Sequence, residues 1–356
     1  MKLYLVCALA VSLAALLVPA LLGGSAGGAA PSSAAPAAKP ATLDVYVIDT
    51  EGGKSLIVVS PAGESMLVDA GFPTADGRDT NRIVAAAQAA GIKQFDHVLV
   101  THYDGDHVGN IPNLCAKIPG KVYYDHGALL PTTKEPDISQ NYPPYIKFLE
   151  GKTRVSVKPG DTIPLKGVQI TVVTAGGEAI TKPLPGAGQP NPFAVGVTPG
   201  PVDTDDNVGS IGLYYQYGKF RMLDLADLLQ LVECKLMAPN NLIGTIDLFM
   251  VSHHGASKSN SKMLVHALGA KAAIMNNGSR KGGDAVVLDT VKSAPGLQDL
   301  WEMHYATASG DKNAPENFIA NPKDPCEGKM IKVSAQLDGT FTVTNTRNDF
   351  SKTYKP

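Results

Sequence analysis

Four side chains that can bind a divalent metal lie within six residues of one another, directly after the short apolar stretch 98–100. They are His102, Asp104, Asp106 and His107. Two carboxylates and two imidazoles on a single turn would desolvate and repel their neighbours unless a cation held them together. The segment therefore predicts half of a two-metal hydrolase centre, and the rest of the chain must supply the other half.

Candidates for the other half also follow apolar stretches that read as strands. Asp227 comes after one such stretch, and the neighbours His253 and His254 come after another. Asp224 competes with Asp227, but it lies three residues earlier, inside the predicted strand, so Asp227 is favoured. A two-metal centre activates a water molecule and binds the oxygens of a displacement reaction, and it needs about six to eight protein ligands.

Local patterns predict a chain of the α/β class. Stretches rich in β-branched and apolar residues predict strands, at 43–48, 55–59, 65–71, 95–100, 121–124, 168–173, 210–217, 220–225, 246–251, 272–275, 330–334 and 340–344. Start and stop signals predict helices, at 80–90, 228–237 and 261–268. The Pro- and Gly-rich stretch 176–206 is predicted as a long loop of the kind that often shapes a binding site.

The two ends of the chain read differently from its middle. Lys2 precedes an apolar run and then small residues, which is the layout of a secretory signal, so 1–26 is predicted to be removed on export. The run is also about as long as a membrane span, so an uncleaved anchor is the alternative. The Ala- and Pro-rich stretch 27–42 is predicted as a linker. A hydrolase domain over 43–346 and a C-terminal tail over 347–356 complete the predicted organisation.

Composition limits the partners of this domain. The chain has 356 residues, 44% of them hydrophobic, and a formal net charge of -2. That charge offers no electrostatic reason for a stable complex with long nucleic acid, so a small-molecule or nucleotide-like substrate is expected. No membrane contact is expected after signal cleavage, and the periplasm or the extracellular space is predicted as the location. There, one disulfide and one free thiol are expected among Cys115, Cys234 and Cys326.

Several motifs together resemble the metallo-β-lactamase superfamily. The segment 101–109 is similar to its metal-binding signature, in the variant where Asp104 replaces the second histidine. The segments 68–71, 217–227 and 251–255 resemble its strand-end, bridging-aspartate and late-histidine motifs. Within the superfamily, the hydrolase domain of bacterial DNA-uptake channel proteins and the phosphorylcholine esterases are the most similar subgroup.

The resemblance implies a four-layer αββα sandwich with two divalent metal ions at one edge of its sheets. The ions are expected to be zinc, with manganese or iron as alternatives. The implied ligands are His102 and Asp104 for the first metal, Asp106, His107 and His254 for the second, and Asp227 as the bridge. Asp106 and His253 are the implied catalytic residues, with His253 in proton transfer. The sequence does not decide which of the neighbours His253 and His254 is the ligand.

The chain also departs from the superfamily's usual pattern. The β-lactamases and lactonases of the superfamily usually carry a further metal-binding histidine between the cluster and the bridging aspartate. The only histidine in that interval of this chain is His126, and it is interpreted as a surface or strand-end residue. A glycine-rich segment, 276–283, stands where the subgroup has a Gly-His-Pro motif, and its Arg280 and Lys281 could bind an anionic substrate group. These features favour an exported hydrolase of phosphodiesters or phosphoesters. The alternatives are hydrolysis of a β-lactam or lactone ring, and an exported binding module without catalysis.

Overall fold

The computed structural model describes residues 41–131, 133, 136–197 and 204–356. The predicted signal segment and nearly all of the linker therefore lie outside the described residues. The strands are β1 (Leu43–Val47), β2 (Leu56–Val59), β3 (Ser65–Val68), β4 (Phe95–Leu99), β5 (Gly120–Asp125), β6 (Thr153–Ser156), β7 (Thr162–Leu165), β8 (Val168–Ala175), β9 (Glu178–Ala179), β10 (Gly212–Tyr217), β11 (Phe220–Asp224), β12 (Leu248–Val251), β13 (Ala272–Met275), β14 (Asp299–His304), β15 (Ile319–Asn321), β16 (Ile331–Ala335), β17 (Phe341–Asn345) and β18 (Phe350–Tyr354). The helices are α1 (Arg78–Ala89), α2 (Gly105–Val108), α3 (Ile111–Cys115), α4 (Pro136–Phe148), α5 (Gln230–Met237), α6 (Lys262–Leu268) and α7 (Ala285–Lys292).

The strands form two large sheets. The first sheet runs β18-β17-β16-β1-β2-β3-β4-β5-β6, and the second runs β15-β14-β13-β12-β11-β10-β8-β7, with β9 paired to β8. Neighbours from β3 to β6 are parallel, as are neighbours from β11 to β15. Parallel strands carry their carboxyl ends to the same edge of a sheet, where α/β proteins place their sites.

Three apolar layers hold the sheets and helices together. Between the sheets lies a core that includes Val45, Met66, Leu213, Met250 and Trp301. The outer face of the first sheet packs on α1, α3 and α4, and that of the second sheet packs on α5, α6 and α7. Helices outside two face-to-face sheets make the order αββα, so the predicted four-layer sandwich is confirmed.

The elements differ from the sequence predictions in ways that local physics explains. Every predicted strand and helix is present, with ends shifted by a few residues. The predicted tail 347–356 contains β18, whose exposed face is polar, as is typical of an edge strand. All three cysteines in the described part of the chain are free thiols, so the expected disulfide is wrong. None of the helices in the described ranges is long and apolar enough to cross a membrane.

Candidate metal centre

The metal-ligand segment leaves β4 and turns directly into the short helix α2. Asp104 stands at the N-terminal boundary of α2, and its backbone carbonyl accepts hydrogen bonds from the amides of His107 and Val108, each 3.0 Å long. Asp106 and His107 therefore lie in the first helical turn, with their side chains buried. The β4 strand thus delivers this turn to the edge of the sheet where its parallel neighbours also end.

Four of the six predicted metal ligands converge on one point. The ligand atoms of Asp106, His107, Asp227 and His254 all lie within 4.8 Å of one another. The Nε2 atom of His254 is 3.1 Å from an oxygen of Asp106 and 3.1 Å from an oxygen of Asp227. The Nε2 atom of His107 lies 3.3 Å from that of His254. We call these four residues the Asp/His centre.

The neighbours His253 and His254 both have left-handed backbones, and their side chains take different positions. Their φ angles are 52° and 53°. Residues other than glycine rarely adopt this backbone conformation, which is typical of functional turns. His254 points into the Asp/His centre. His253 remains 15% exposed, with its Nε2 atom 3.8 Å from Asp227 and its Nδ1 atom 3.1 Å from the Ser259 hydroxyl. This arrangement makes His254 the better ligand and leaves His253 beside the centre.

Partners behind the two histidines orient their rings. The Nδ1 atom of His107 lies 2.8 Å from a carboxylate oxygen of Asp69, and that of His254 lies 3.2 Å from the backbone carbonyl of Asn276. The carboxylate at Nδ1 of His107 takes the ring proton and leaves Nε2 with its lone pair, whereas Nδ1 of His254 also lies 3.2 Å from the side-chain amide nitrogen of Asn276. Thr101 secures Asp69 in turn, since its amide and hydroxyl donate hydrogen bonds of 2.8 and 2.7 Å to it.

Neighbouring cationic groups keep the carboxylates of the centre charged, and Asp227, Asp106 and Asp69 outweigh burial to raise the pKa of His107 well above its usual range. Burial raises the pKa of Asp106, but the neighbouring His107, His254 and Lys281 outweigh it and hold that pKa well below its usual range. Burial is likewise outweighed at Asp227, where the surrounding histidines hold the pKa well below its usual range. Both carboxylates are therefore charged at neutral pH.

The donor set fits a divalent metal ion. The two imidazole Nε2 atoms lie 3.1 to 3.4 Å from each other and from an oxygen of each charged carboxylate. Two lone pairs on facing imidazoles repel unless a proton or a metal lies between them, and His and Asp are ordinary ligands for zinc, manganese and iron. The buried Asp/His centre therefore supports a divalent metal site, as the sequence predicted.

His102 and Asp104 form a separate pair beside the centre. The Nε2 atom of His102 lies 3.4 Å from a carboxylate oxygen of Asp104, and the rings of His102 and His107 are 4.0 Å apart. His102 Nε2 and Asp104 Oδ1 are buried without a hydrogen-bond partner. Buried polar atoms are rarely left in this state, and a second cation would satisfy both. The second metal site and its ligands stay a prediction.

The open choice between Asp224 and Asp227 is resolved by geometry. Asp224 forms a buried ion pair with Lys54, and it accepts a hydrogen bond of 3.1 Å from the Ala226 amide. It therefore serves the turn that brings Asp227 to the centre. Lys54 in turn donates its backbone amide to the carbonyl of Asp106 at 3.0 Å, which ties the two ligand loops together.

Sequence reasoning missed the position of His126. It follows β5, as a strand-end residue does, but its side chain is fully buried, so the surface interpretation is wrong. Its Nε2 atom lies 3.4 Å from Asp206, which also accepts a 2.8 Å hydrogen bond from the amide of Tyr103. The pair of His126 and Asp206 therefore holds the backbone of the ligand segment at Tyr103. Only the pairing of distant segments shows this, and no local pattern could.

A second group of potential ligands lies apart from the Asp/His centre. Asp49 pairs with His304 at 2.7 Å and accepts a hydrogen bond of 3.2 Å from the thiol of Cys326. The guanidinium of Arg82 donates to Asp49 at 3.0 Å and to the Cys326 sulfur at 3.3 Å. A fixed cation already serves this group, which therefore reads as a structural network.

Lys281 reaches the centre from the glycine-rich segment. Its Nζ atom forms an ion pair with Asp106, and it lies 5.4 Å above the ring of Phe72. The side chain is 44% exposed, so it joins the buried centre to solvent. The sequence predicted a cation for anionic substrate groups here, and the structure places its charge beside a predicted metal ligand.

The chain is similar to one family model and to several solved structures. Residues 49–190 match the family model of the metallo-β-lactamase superfamily, which confirms the predicted resemblance. Among solved structures, the metallo-β-lactamase fold protein YhfI of Bacillus subtilis is 14% identical, with 73% of this chain and 95% of that chain covered at a TM-score of 0.47. Igni18, a metallo hydrolase of Ignicoccus hospitalis, is 14% identical, with 73% and 95% covered at a TM-score of 0.41. The diiron β-hydroxylase CmlA of Streptomyces venezuelae is 15% identical, with 67% and 45% covered at a TM-score of 0.39. No curated protein sequence matches significantly.

Proposed function

We propose that this chain, with the fold of the metallo-β-lactamase superfamily, is an exported metal-dependent hydrolase of phosphodiesters or phosphoesters. One observation carries the proposal: the partly exposed side chain of Lys281 connects the buried Asp/His centre to solvent through its ion pair with Asp106. Asp104 and His253 retain 16% and 15% of their side-chain exposure, so a small substrate can reach the ligands. A purely structural metal site would be closed to solvent.

The Asp/His centre and the neighbouring His253 have different parts in this hydrolysis. Asp106, His107, Asp227 and His254 would hold a divalent metal ion. When bound, such an ion polarises a water molecule and an oxygen of the substrate. Burial lowers the pKa of His253, so its ring is neutral at pH 7. Its Nε2 atom can therefore accept a proton from the attacking water, as a general base does.

The charge at the entrance favours a phosphoester over a ring amide. The ammonium of Lys281 stands beside Asp106, where it can bind a negatively charged oxygen of the reacting phosphoryl group. A β-lactam or lactone has a neutral reacting carbonyl and needs an apolar groove instead. Zinc is proposed for the site, with manganese or iron as alternatives, and a second ion is proposed at His102 and Asp104.

A substrate panel tests the proposal. The metal-loaded mature protein should hydrolyse bis(4-nitrophenyl) phosphate faster than a chromogenic β-lactam or a lactone. Lys281→Gln should lower kcat/KM for the phosphodiester about 10-fold or more, because a charge-assisted hydrogen bond is lost. Turnover of ring substrates alone would refute the phosphoester assignment. Metal binding without turnover of any member would support the binding module.

Export and partners belong to the same proposal. The leader 1–26 supports delivery to the periplasm or beyond, and the net charge of -2 supports a small-molecule or nucleotide-like substrate. Fractionation of cells that express the full chain tests the location. The mature protein should start within about 27–42, and a full-length protein in the membrane fraction would favour the uncleaved anchor.

A further inference from the structure

The glycine-rich loop 278–283 is held rigidly over the Asp/His centre. The carbonyl of Ser279 accepts hydrogen bonds from the amide and the hydroxyl of Thr307, 2.9 and 2.8 Å long, and its hydroxyl donates to Asp324 at 2.5 Å. At the other end, the amide of Gly283 donates to the carbonyl of His254 at 2.8 Å. The loop therefore presents its two cationic side chains from a fixed backbone.

Two glycines allow the loop to lie this close. A Cβ atom on Gly278 would stand 2.7 Å from the carbonyl oxygen of Glu51, and one on Gly282 would stand 2.1 Å from that of His254. The backbone of the loop 278–283 thus packs directly on the backbone of Glu51 and on that of the predicted metal ligand His254. A fixed loop loses little conformational entropy on binding a ligand, which makes it a suitable recognition element.

Arg280 differs from the other charged residues of the cleft beside the centre. Glu51 gives one oxygen to Arg82 and the other to Arg78, at 3.0 and 2.7 Å. Asp324 accepts the hydrogen bond from Ser279. Arg280 is exposed and has no ion pair or side-chain hydrogen bond within the described part of the chain. Its guanidinium is therefore available to a ligand that enters the cleft.

We propose that Arg280 binds a second anionic group of the substrate, apart from the phosphoryl group that reacts. This inference rests on the proposed function, and it narrows the substrate to a phosphodiester or phosphoanhydride that carries an additional phosphate or carboxylate, as nucleotides do. Lys281 faces the centre and contacts the reacting group, while the adjacent Arg280 faces the cleft. A planar guanidinium binds such anions through two parallel hydrogen bonds.

Two matched chromogenic esters test this inference with the metal-loaded protein. One is the 4-nitrophenyl ester of thymidine 5′-phosphate, and the other is the same ester with a 3′-phosphate. The wild type should prefer the 3′-phosphorylated ester about 10-fold, through a lower KM, since one charge-assisted contact contributes about that factor. Arg280→Gln should abolish the preference, and Arg280→Lys should retain part of it.

Lys93→Gln is the matched control. Lys93 is exposed, and it precedes β4, whereas the metal ligands follow that strand. The Lys93→Gln variant loses one positive charge, as Arg280→Gln does, so it should keep the full preference for the 3′-phosphorylated ester. An equal preference in the wild type and in Arg280→Gln would overturn the inference, as would an equal loss in Lys93→Gln.

A binding measurement separates this inference from the proposed function. If neither ester is hydrolysed, the proposed function fails, and calorimetry then compares thymidine 3′,5′-bisphosphate with thymidine 5′-phosphate. Tighter binding of the bisphosphate that Arg280→Gln removes would support the second anion site by itself. Equal binding of the two nucleotides to the wild type would overturn it.

Discussion

Asp69 is not one of the four residues of the Asp/His centre, but its carboxylate orients the ring of His107, which is. Its 2.8 Å contact with Nδ1 selects the tautomer whose Nε2 atom faces the centre. We expect Asp69→Asn to weaken metal binding about 10- to 100-fold, because partners behind a ligand contribute this much. Competition with a chromophoric chelator measures the affinity.

Asp247→Asn is a control for that substitution. Asp247 is also a mostly buried carboxylate, but it precedes β12 and pairs with Lys271 at 2.5 Å. Its loss should leave metal affinity unchanged. Wild-type affinity in Asp69→Asn would show that the ring of His107 needs no such support.

Cys326 shows that potential metal ligands need not form a metal site. Burial and the nearby Asp49 raise the pKa of its thiol to about 11, so it stays protonated beside the guanidinium of Arg82. We expect Cys326→Ser to bind as much metal as the wild type, measured by mass spectrometry. A loss of one equivalent would instead make Asp49, His304 and Cys326 a metal site.

Single residues were predicted unevenly from the sequence. Asp106, His107 and Asp227 were predicted because each follows a strand and parallel strands end at one edge, whereas the choice of His254 over His253 needed the geometry of the folded chain. The ion pair of Lys281 with Asp106 joins positions 175 residues apart, so no local pattern predicts the contact itself. The roles of such residues depend on how the two sheets pack.

At the level of elements, Gly282 limits how the loop 278–283 approaches His254. Its φ angle is 72°, and an added methyl group would collide with the His254 carbonyl. We expect Gly282→Ala to displace His254 and to lower metal affinity about 10-fold or more, since a ligand loses its orientation. Calorimetric metal titration measures this effect.

Gly63→Ala serves as the comparison for that change. Gly63 has a φ angle of 84° and open space around its α-carbon. The substitution should cost about 1–2 kcal/mol of unfolding free energy from backbone strain alone, and no metal affinity. Equal metal affinity in both variants would contradict the close approach of the loop to His254.

Sequence patterns missed several elements, and two of them, α4 and β6, have local features that conceal them. The helix α4 contains Pro143 and Pro144, which ordinarily stop a helix. The strand β6 is exposed along its length and lacks the apolar face that marks a strand. Packing of α4 in the apolar layer outside the first sheet and backbone pairing of β6 with β5 therefore override the local preference.

At the level of the whole molecule, a buried carboxyl group makes stability depend on pH. Burial raises the pKa of Glu302 from 4.5 to about 7. The folded state thus binds this proton more tightly, so its stabilising contribution is full below pH 4.5 and is lost as the pH rises through 7. The shift corresponds to about 3 kcal/mol.

Glu302→Gln removes this titration. Between pH 5 and pH 8, the unfolding free energy of the wild type should fall relative to that of the variant by about 2–3 kcal/mol. Urea unfolding at both pH values measures it. Glu316→Gln, at a carboxylate that is 73% exposed, should follow the wild type. Parallel pH profiles for wild type and Glu302→Gln would contradict a raised pKa.

The metal content of the mature protein tests the central claim most directly. Mass spectrometry after purification without chelators should find a divalent metal in the wild type and in Asp247→Asn. Asp227→Asn should lose it while remaining folded by circular dichroism, because Asp227 supplies a carboxylate that the centre cannot replace. A wild type that binds no metal, even on titration, or an Asp227→Asn variant with full metal content, would contradict the account.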